Sequence, residues 1–337
     1  MGKMTKKKTA RLTILIIILV GAVILVFLNN RPESDGNSAR IKRSVGILAG
    51  VEGKAYKESF VAGDKDTDNK IVIINLSGEI TNSKWGPAHR KGMVDEIMDQ
   101  LKEAESDKAV MAIVLNINSP GGPVIDADIL YEKIKEISKK KVVVALLDRV
   151  AASGGYYVAS AAHKIVAHPL TLTGSIGVIM DFVNVQELFE KKLGIEMSVI
   201  KSGKYKDIGS PYRPMDQNER KMLQGLVDSA HAKFVRIVSE GRNIPMNRMG
   251  SIADGRIYSG EQAKDVGLVD ELGTQDAAVE LAKNVCGIKK AKIVEYSPKP
   301  RLRDLLMGKL SENFRMDAMP KLPEPALKYI WRPSPER

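Results

Sequence analysis

The stretch VVVALLDRVAASGGYYVAS, residues 142–160, runs from an apolar strand pattern through a glycine turn into a series of small and aromatic residues. Three valines followed by alanine and leucines are typical of a strand that is buried on both faces, as in a parallel sheet. Ser153 stands at the turn with Gly154 directly behind it. Two interpretations of Ser153 are open at this point: a nucleophile at the start of a helix, or an N-cap that satisfies an orphan amide.

Outward from this stretch, short apolar runs alternate with amphipathic segments. The apolar runs are IVIINLSG, VMAIVLNIN, VVVALLD, KIVAH and EMSVIK, and the predicted helices cover residues 92–104, 124–139, 153–162 and 185–193. Strands and helices in alternation predict an α/β domain with a parallel sheet. After Pro214 a long helix is predicted, because Asp216 and Glu219 have the spacing of a capping box. Two more helical segments and a last strand, AKIVEYS, follow.

Composition excludes several classes of protein. The 337 residues are 44% hydrophobic, enough for a sizeable core, and the net charge of +11 is uneven, with five basic residues among the first eleven. No recognition-helix motif or aromatic-basic interleaving accompanies the charge, so the sequence does not indicate nucleic-acid binding. A single cysteine, Cys286, excludes an internal disulfide and a Cys-Cys metal site.

The N-terminus carries a membrane-targeting pattern. A basic tail at residues 1–11 precedes an uninterrupted apolar run at residues 12–28, which as a helix is about 25 Å long and just spans a bilayer core. The segment after it lacks a small-x-small cleavage site, so we expect an uncleaved anchor with a cytoplasmic N-terminus and an extracytoplasmic catalytic domain. Residues 29–69 are polar and mixed, which indicates a tether.

A second glycine-rich turn ends the strand before the quoted stretch. In LNINSPGGPV, residues 115–124, Gly121 and Gly122 allow close backbone approach to a ligand before the next helix begins. Amides at such a helix start bind an oxyanion or a phosphate. The spacing matches neither a phosphate-binding loop nor a dinucleotide fingerprint. Because neighbouring parallel strands end at the same edge of a sheet, the amides of the two turns can converge on one crevice.

A nucleophilic serine needs a base. The four histidines (His89, His163, His168 and His231) have no spacing that favours a pairing with Ser153. The loop KSGKYKDIGSP, residues 201–211, offers lysine instead. A lysine deprotonates a serine only if its pKa falls from about 10.4 to roughly 7 or 8, which requires near enclosure. Composition alone does not choose among Lys201, Lys204 and Lys206.

Four motifs in order and spacing carry a resemblance: INSPGGPV, RVAASGGYYVASAA, LTGSIGVI and SGKYKDIGSP. Residues 70 to about 297 resemble the bacterial signal peptide peptidases of the serine-lysine type, membrane-anchored relatives of the Clp protease and crotonase folds. The resemblance implies repeated β-β-α units around a parallel sheet, followed by a helical segment. It also implies Ser153 as nucleophile, Lys206 as general base, the amides of Gly122 and Gly154 as oxyanion donors and Ser175 as the lysine-orienting residue.

The resemblance further implies a serine endopeptidase with no cofactor and no metal. Its expected substrates are signal peptide remnants and misfolded exported proteins at the extracytoplasmic face of the bacterial membrane, and its expected assembly is a homo-oligomeric ring whose sites use residues from neighbouring subunits. Two alternatives stay open: a crotonase-like acyl-CoA enzyme, and a non-catalytic membrane scaffold of the same fold.

The domain boundaries follow from these patterns. Residues 70–298 form the predicted peptidase domain, and residues 299–337 form an extended tail that holds six of the fifteen prolines. The sequence leaves open whether ALKYIWRP, near the end of this tail, blocks the substrate groove as an inhibitor.

Overall fold

A computed structural model describes residues 56–82, 92–298 and 328–331 of the chain. The predicted basic tail and membrane anchor at residues 1–28, with most of the tether, lie outside these described residues. Within the described ranges, no helix is both long enough and apolar enough to cross a bilayer.

Helices and strands alternate along the chain. The strands are β1 Tyr56–Gly63, β2 Lys70–Ser77, β3 Val110–Ser119, β4 Gly121–Pro123, β5 Val142–Ala152, β6 Lys164–Ala167, β7 Leu172–Gly174, β8 Ile257–Tyr258, β9 Glu271–Leu272, β10 Lys292–Pro298 and β11 Lys328–Ile330. The α-helices are α1 Met93–Ser106, α2 Val124–Ser138, α3 Gly154–Ala159, α4 Gln217–Arg242, α5 Met246–Met249, α6 Gly260–Asp265 and α7 Gln275–Cys286, and a π-helical segment covers Leu188–Leu193.

The main sheet is largely parallel. Its strand order is β1-β10-β2-β3-β5-β6-β9, with β7 paired to β5 and β8 paired to β7. The pairs from β10 through β9 are parallel, whereas β1 runs antiparallel to β10 at the edge. This arrangement confirms the α/β prediction, and it places the carboxyl ends of β3 and β5 side by side.

The sheet is covered on both faces, as the unbroken Val and Ile runs of its strands predict. One face and helices α1 to α4 form the larger core, in which Ile113, Leu115 and Tyr157 are fully buried. The other face forms a smaller core that includes Ala112, Val114 and residues of α7. The alternate residues of β3 therefore enter two different cores, which fixes the register of the strand.

Two segments differ from the sequence-based expectation. Residues 56–63 fall within the predicted tether, yet they form strand β1, which pairs with β10 through partners such as Glu58 and Tyr296. The strand EMSVIK was predicted at residues 196–201, but these residues form no strand and are all exposed. Both errors arise because a strand needs a pairing partner. Strand β1 pairs with β10, which lies far from it in the sequence, whereas residues 196–201 have no pairing partner among the described residues.

Helix α4 begins with the predicted capping box. The Asp216 side chain accepts a hydrogen bond from the Glu219 amide at 2.8 Å, and the Glu219 carboxylate accepts one from the Asp216 amide at 3.0 Å. Arg213 lies between the carboxylates of Glu219 and Asp207 and donates to both. Lys201 adds a second cation at 2.6 Å from Asp207. This network ties residues 201–213, the segment that carries the predicted base, to the start of α4.

The network gives the fold an acid-sensitive ion cluster. The hydrogen bonds from Arg213 lower the pKa of Glu219 to about 2 and hold the pKa of Asp207 well below its ordinary value. A carboxyl group whose pKa is lower in the folded state stabilises the fold above its unfolded-state pKa, and this contribution disappears as the pH falls toward the folded-state pKa.

We therefore expect Arg213→Gln to be less stable than the wild type at pH 7, and the difference to shrink as the pH falls from about 5 to 2. Chemical unfolding of the full chain in detergent at a series of pH values measures this. Lys191→Gln, which removes an exposed i,i+4 pair with Glu187, is the matched control and should change little at any pH. An Arg213→Gln deficit that stays constant down to pH 2 would contradict the assignment.

Candidate active site

Ser153 sits at the turn between β5 and α3 in a conformation that a side-chain-bearing residue rarely adopts. Its backbone angles are φ 54° and ψ −115°, and its amide donates to the Gly174 carbonyl at 2.8 Å. It occupies the N-cap position of α3, but its side chain makes no capping hydrogen bond. Since an ordinary N-cap has extended backbone angles and a capping hydroxyl, the helix-cap interpretation of Ser153 does not fit. The strained strand-to-helix turn is that of a nucleophile elbow.

The two glycine turns come into direct backbone contact. A Cβ built on Gly121, whose φ is +98°, would lie 2.6 Å from the Gly154 amide nitrogen. A Cβ built on Gly154 would lie 3.1 Å from the Gly122 amide nitrogen. Any side chain at these positions would force the turns apart. The structure therefore brings together the amides of Gly122 and Gly154. The sequence analysis expects this convergence of the two turns on one crevice.

Ser175 occupies the equivalent point on the neighbouring strand. In the parallel pair β5–β7, Ala152 is the register partner of Gly174, so Ser153 and Ser175 each follow the last paired residue. Ser175 also has a positive φ, 49°, and its amide donates to the Arg256 carbonyl at 2.8 Å. The structure thus places the two predicted serines at adjacent strand ends.

Lys206 is the predicted site residue that the structure does not bring to the others. It is exposed, and within the described parts of the chain its ammonium group forms no ion pair and no hydrogen bond, with Ser153 or with any other residue. The other two lysines of the loop have partners: Lys201 pairs with Asp207, and the Lys204 ammonium lies 5.2 Å from the centre of the Tyr205 ring. Of the three lysines, Lys206 is the one for which the described residues provide neither a charged nor an aromatic partner.

The histidines are engaged elsewhere. The His163 ring accepts from the Val143 amide, the His168 ring accepts from the Leu170 amide, and the His231 ring contacts the Ala253 carbonyl. His89 lies outside the described residues. Across the described ranges no histidine is hydrogen-bonded to Ser153.

Strand β11 is the feature of the site that the sequence did not predict. It pairs antiparallel with β4, with Tyr329 opposite Gly122 and Ile330 opposite Gly121. On its other edge Lys328 exchanges two hydrogen bonds with Ile179, at 3.0 and 3.1 Å. Residues 328–331 therefore lie as an added strand beside the glycine turn. The sequence signal for this strand is the segment ALKYIWRP, which is apolar and lies in a proline-rich tail. Nothing within the segment itself shows that it pairs with β4.

Aromatic rings surround the side chain of this strand. Tyr329 is fully buried, stacks on Tyr157 with ring centres 4.8 Å apart and meets Phe234 at the same distance. The Tyr157 hydroxyl donates to Asp128 at 2.6 Å, and Lys233 pairs with the same carboxylate. Burial, followed by the neighbouring Asp128 carboxylate, raises the pKa of Tyr157. Tyr157 therefore stays a neutral hydrogen-bond donor, held at a fixed angle beside the ring of Tyr329.

Comparison with known proteins decides the family. The family model for peptidase family S49 matches residues 135–289, and the model for Clp protease matches residues 80–171. A putative protease of Synechocystis is 39% identical over 245 residues, which cover 72% of this chain and 84% of that protein. The chain belongs to peptidase family S49.

Two further relatives agree with the S49 assignment. A putative protease of Methanocaldococcus jannaschii is 45% identical over 58% of this chain, and the chain spans 63% of that protein's length. A putative signal peptide peptidase SppA of Enterococcus faecium is 36% identical over 68% of this chain and 67% of its own length. The S49 match includes Ser153, Ser175 and Lys206, and the Clp protease match includes both glycine turns.

The close contact of the two turns makes a specific prediction for this S49 peptidase. In Gly121→Ala the added Cβ meets the Gly154 nitrogen and the Tyr329 carbonyl oxygen, and the positive φ alone costs about 1–3 kcal/mol. We expect lower stability together with loss of peptide hydrolysis. Thermal unfolding and initial rates on the same preparation test this.

Gly225→Ala is the matched control. Gly225 lies on the exposed side of α4, and a Cβ there meets nothing within 4 Å. This substitution should raise stability by about 0.5–1 kcal/mol through helix propensity and leave the rate unchanged. If Gly121→Ala kept wild-type hydrolysis, the proximity of the turns would not matter for the site.

Proposed function

We propose that this S49 chain is a membrane-anchored serine endopeptidase in which Ser153 is the nucleophile and Lys206 the general base. The observation that carries the proposal is the strained turn at Ser153, which stands beside two converging glycine amides at the carboxyl ends of adjacent parallel strands. A serine at a turn next to backbone hydrogen-bond donors is the arrangement that acyl transfer requires.

The reaction follows from these positions. The Ser153 hydroxyl attacks the peptide carbonyl carbon, and Lys206 accepts the hydroxyl proton and passes it to the leaving amine. The amides of Gly122 and Gly154 donate to the oxygen that becomes negative in the tetrahedral intermediate. Water then hydrolyses the acyl-enzyme by the same route. Each oxyanion donor in such sites lowers the barrier by roughly 3–4 kcal/mol. Ser175 is assigned to orienting the ammonium group of Lys206.

The position of Lys206 supports a site completed between copies of the chain. Its charge is exposed and unpaired within the described part of its own subunit, whereas a lysine acts as a base only when it is enclosed. Large apolar side chains in the segment before it are also exposed, among them Leu193 at 56% and Ile200 fully. Such a surface favours contact with another chain. In a homo-oligomeric ring, Lys206 of one copy then reaches Ser153 of the next.

The substrate assignment rests on the anchor and on the relatives. An anchor at residues 12–28 keeps the catalytic domain at the extracytoplasmic membrane face, and the Enterococcus faecium relative is named a putative signal peptide peptidase. Cleaved signal peptides remain in the membrane as apolar segments, and misfolded exported proteins expose similar sequences. Both are proposed substrates.

A mixing experiment tests the serine-lysine pair and its location together. Ser153→Ala and Lys206→Ala, as full chains in detergent, should each lose at least about a thousandfold in kcat for peptide hydrolysis. Lys204→Ala is the matched control and should retain wild-type turnover, because Lys204 lies on the Tyr205 ring. After the two inactive variants are mixed and allowed to exchange subunits, activity should return, since mixed rings contain intact pairs.

The outcomes separate the parts of the proposal. Unchanged turnover in Lys206→Ala would remove this lysine from the mechanism. Inactive single variants with no recovery on mixing, despite proven subunit exchange, would place the pair within one chain. Covalent labelling of the wild type by a fluorophosphonate, absent in Ser153→Ala, identifies the nucleophile independently.

A further inference from the structure

Ser119 is a buried serine that contacts both glycine turns. It is the last residue of β3 and is fully buried. Its hydroxyl oxygen accepts a hydrogen bond from the Gly121 amide at 3.1 Å. A Cβ built on Gly155, in the second turn, would lie 2.8 Å from the Ser119 carbonyl oxygen and 3.5 Å from the Ser119 Cβ. The residue is therefore bonded to the first turn through its side chain and packed closely against the second.

The turn that Ser119 holds has little stiffness of its own. Gly121 has a φ of +98°, and a glycine moves readily between backbone conformations because it has no Cβ. Rotation about the backbone bonds of Gly121 swings the peptide group that follows it. That peptide group carries the Gly122 amide, which is one of the two proposed oxyanion donors. Bonds from outside the turn must therefore fix the direction of this amide.

Hydrogen bonds hold the peptide groups on either side of the Gly121 Cα. In the group that follows it, the Gly121 carbonyl accepts from the Ile80 amide at 2.8 Å. The N–H and C=O of a trans peptide point in opposite directions, so this bond directs the Gly122 amide away from Ile80. In the group that precedes it, the Gly121 amide is held by the Ser119 hydroxyl. With both groups held, the Gly122 amide has one direction.

We propose that Ser119 is a positioning residue, whose hydroxyl holds the first turn so that the Gly122 amide points at the developing oxyanion; the inference rests on the proposed function. Main-chain groups make the other hydrogen bonds to residues 120–122, and among the described residues no other side chain bonds to them. The Ser119 bond is thus the one that a substitution can remove.

The loss of this bond should affect the transition state more than substrate binding. The oxygen of the substrate becomes negative only as the Ser153 hydroxyl attacks, so a correctly directed amide contributes most at that moment. A displacement of about 1 Å in such a group costs on the order of a hundredfold in rate. Removal of the Ser119 hydroxyl should therefore lower kcat and leave KM nearly unchanged.

Ser119→Ala, as the full chain in detergent, tests this with an internally quenched peptide that has the sequence of an apolar signal-peptide segment. We expect kcat to fall about ten- to a hundredfold while KM stays within about twofold. The matched control is Ser160→Ala. Ser160 is also fully buried, lies at the far end of α3 and donates its hydroxyl to the Tyr156 carbonyl at 2.9 Å. This variant should keep the wild-type kcat, and thermal unfolding checks that both variants are folded.

Two inhibitors separate positioning from a general loosening of the site. In a peptide boronic acid of the same sequence, the Ser153 oxygen adds to the boron, its proton passes to the base, and an oxygen on the tetrahedral boron takes the oxyanion position. Its Ki should rise in Ser119→Ala by about the factor by which kcat falls. The same peptide with the scissile carbonyl replaced by a methylene has no oxygen for this position, so its Ki should stay within about twofold.

Two results would overturn the inference. A wild-type kcat in Ser119→Ala would show that the hydroxyl does not direct the amide. An equal loss of affinity for both inhibitors would show that Ser119 only supports the local structure. If Ser119→Ala does not fold, Ser119→Cys takes its place, because a thiol is a weak hydrogen-bond acceptor, and it should give the same difference between the inhibitors.

The wild type separates this inference from the proposed function. Peptide hydrolysis and fluorophosphonate labelling of Ser153 in the wild type, with unchanged kinetics in Ser119→Ala, would remove the assignment of Ser119 alone. No hydrolysis and no labelling in the wild type would remove both.

Discussion

The structure depends on the contact between two glycine turns at the carboxyl ends of β3 and β5. These strands are parallel neighbours, and their pairing ends with Ser119 opposite Ala151, so the turns that follow must pass through the same space. Gly121 and Gly154 allow this because neither has a side chain to separate the backbones. Two amide groups then lie beside a strained serine. The rest of the sheet, with helices on both faces, holds this contact rigid.

Most of the fold was predictable because its signals are local. Residues 110–115 and 142–147 are wholly apolar, as a strand buried on both faces requires, and the structure has both strands. The capping box at Asp216 and Glu219 starts α4 where the sequence places it. The turns at Gly122 and Ser153 were predictable for the same reason, since each follows a predicted strand, whereas Ser175 was singled out only by the family resemblance. The position of a residue that directly follows a strand can be predicted from that strand's own sequence, without knowing which strand pairs with it.

The remaining features depend on distant or intermolecular partners. Strand β1 was assigned to a tether because nothing in residues 56–63 reveals that β10 lies beside them. Residues 196–201 have the alternation of a strand but no partner within the described chain, and pairing rather than alternation defines a strand. Lys206 shows the same limit, because the base role proposed for it requires an enclosure that the described part of its own chain does not provide. The family resemblance singles out this lysine, and its approach to Ser153 is proposed to depend on contact between copies of the chain.

The burial of Ser153 connects the site to the tail. Ser153 is the proposed nucleophile, yet it is only 1% exposed with β11 in place. A substrate strand that pairs with β4 would make the same main-chain hydrogen bonds as residues 328–331, so these bonds cannot decide which strand is bound. Local concentration then favours the strand that is attached to the same chain. Under the proposed function, a substrate strand must therefore displace residues 328–331 from β4 before it reaches Ser153.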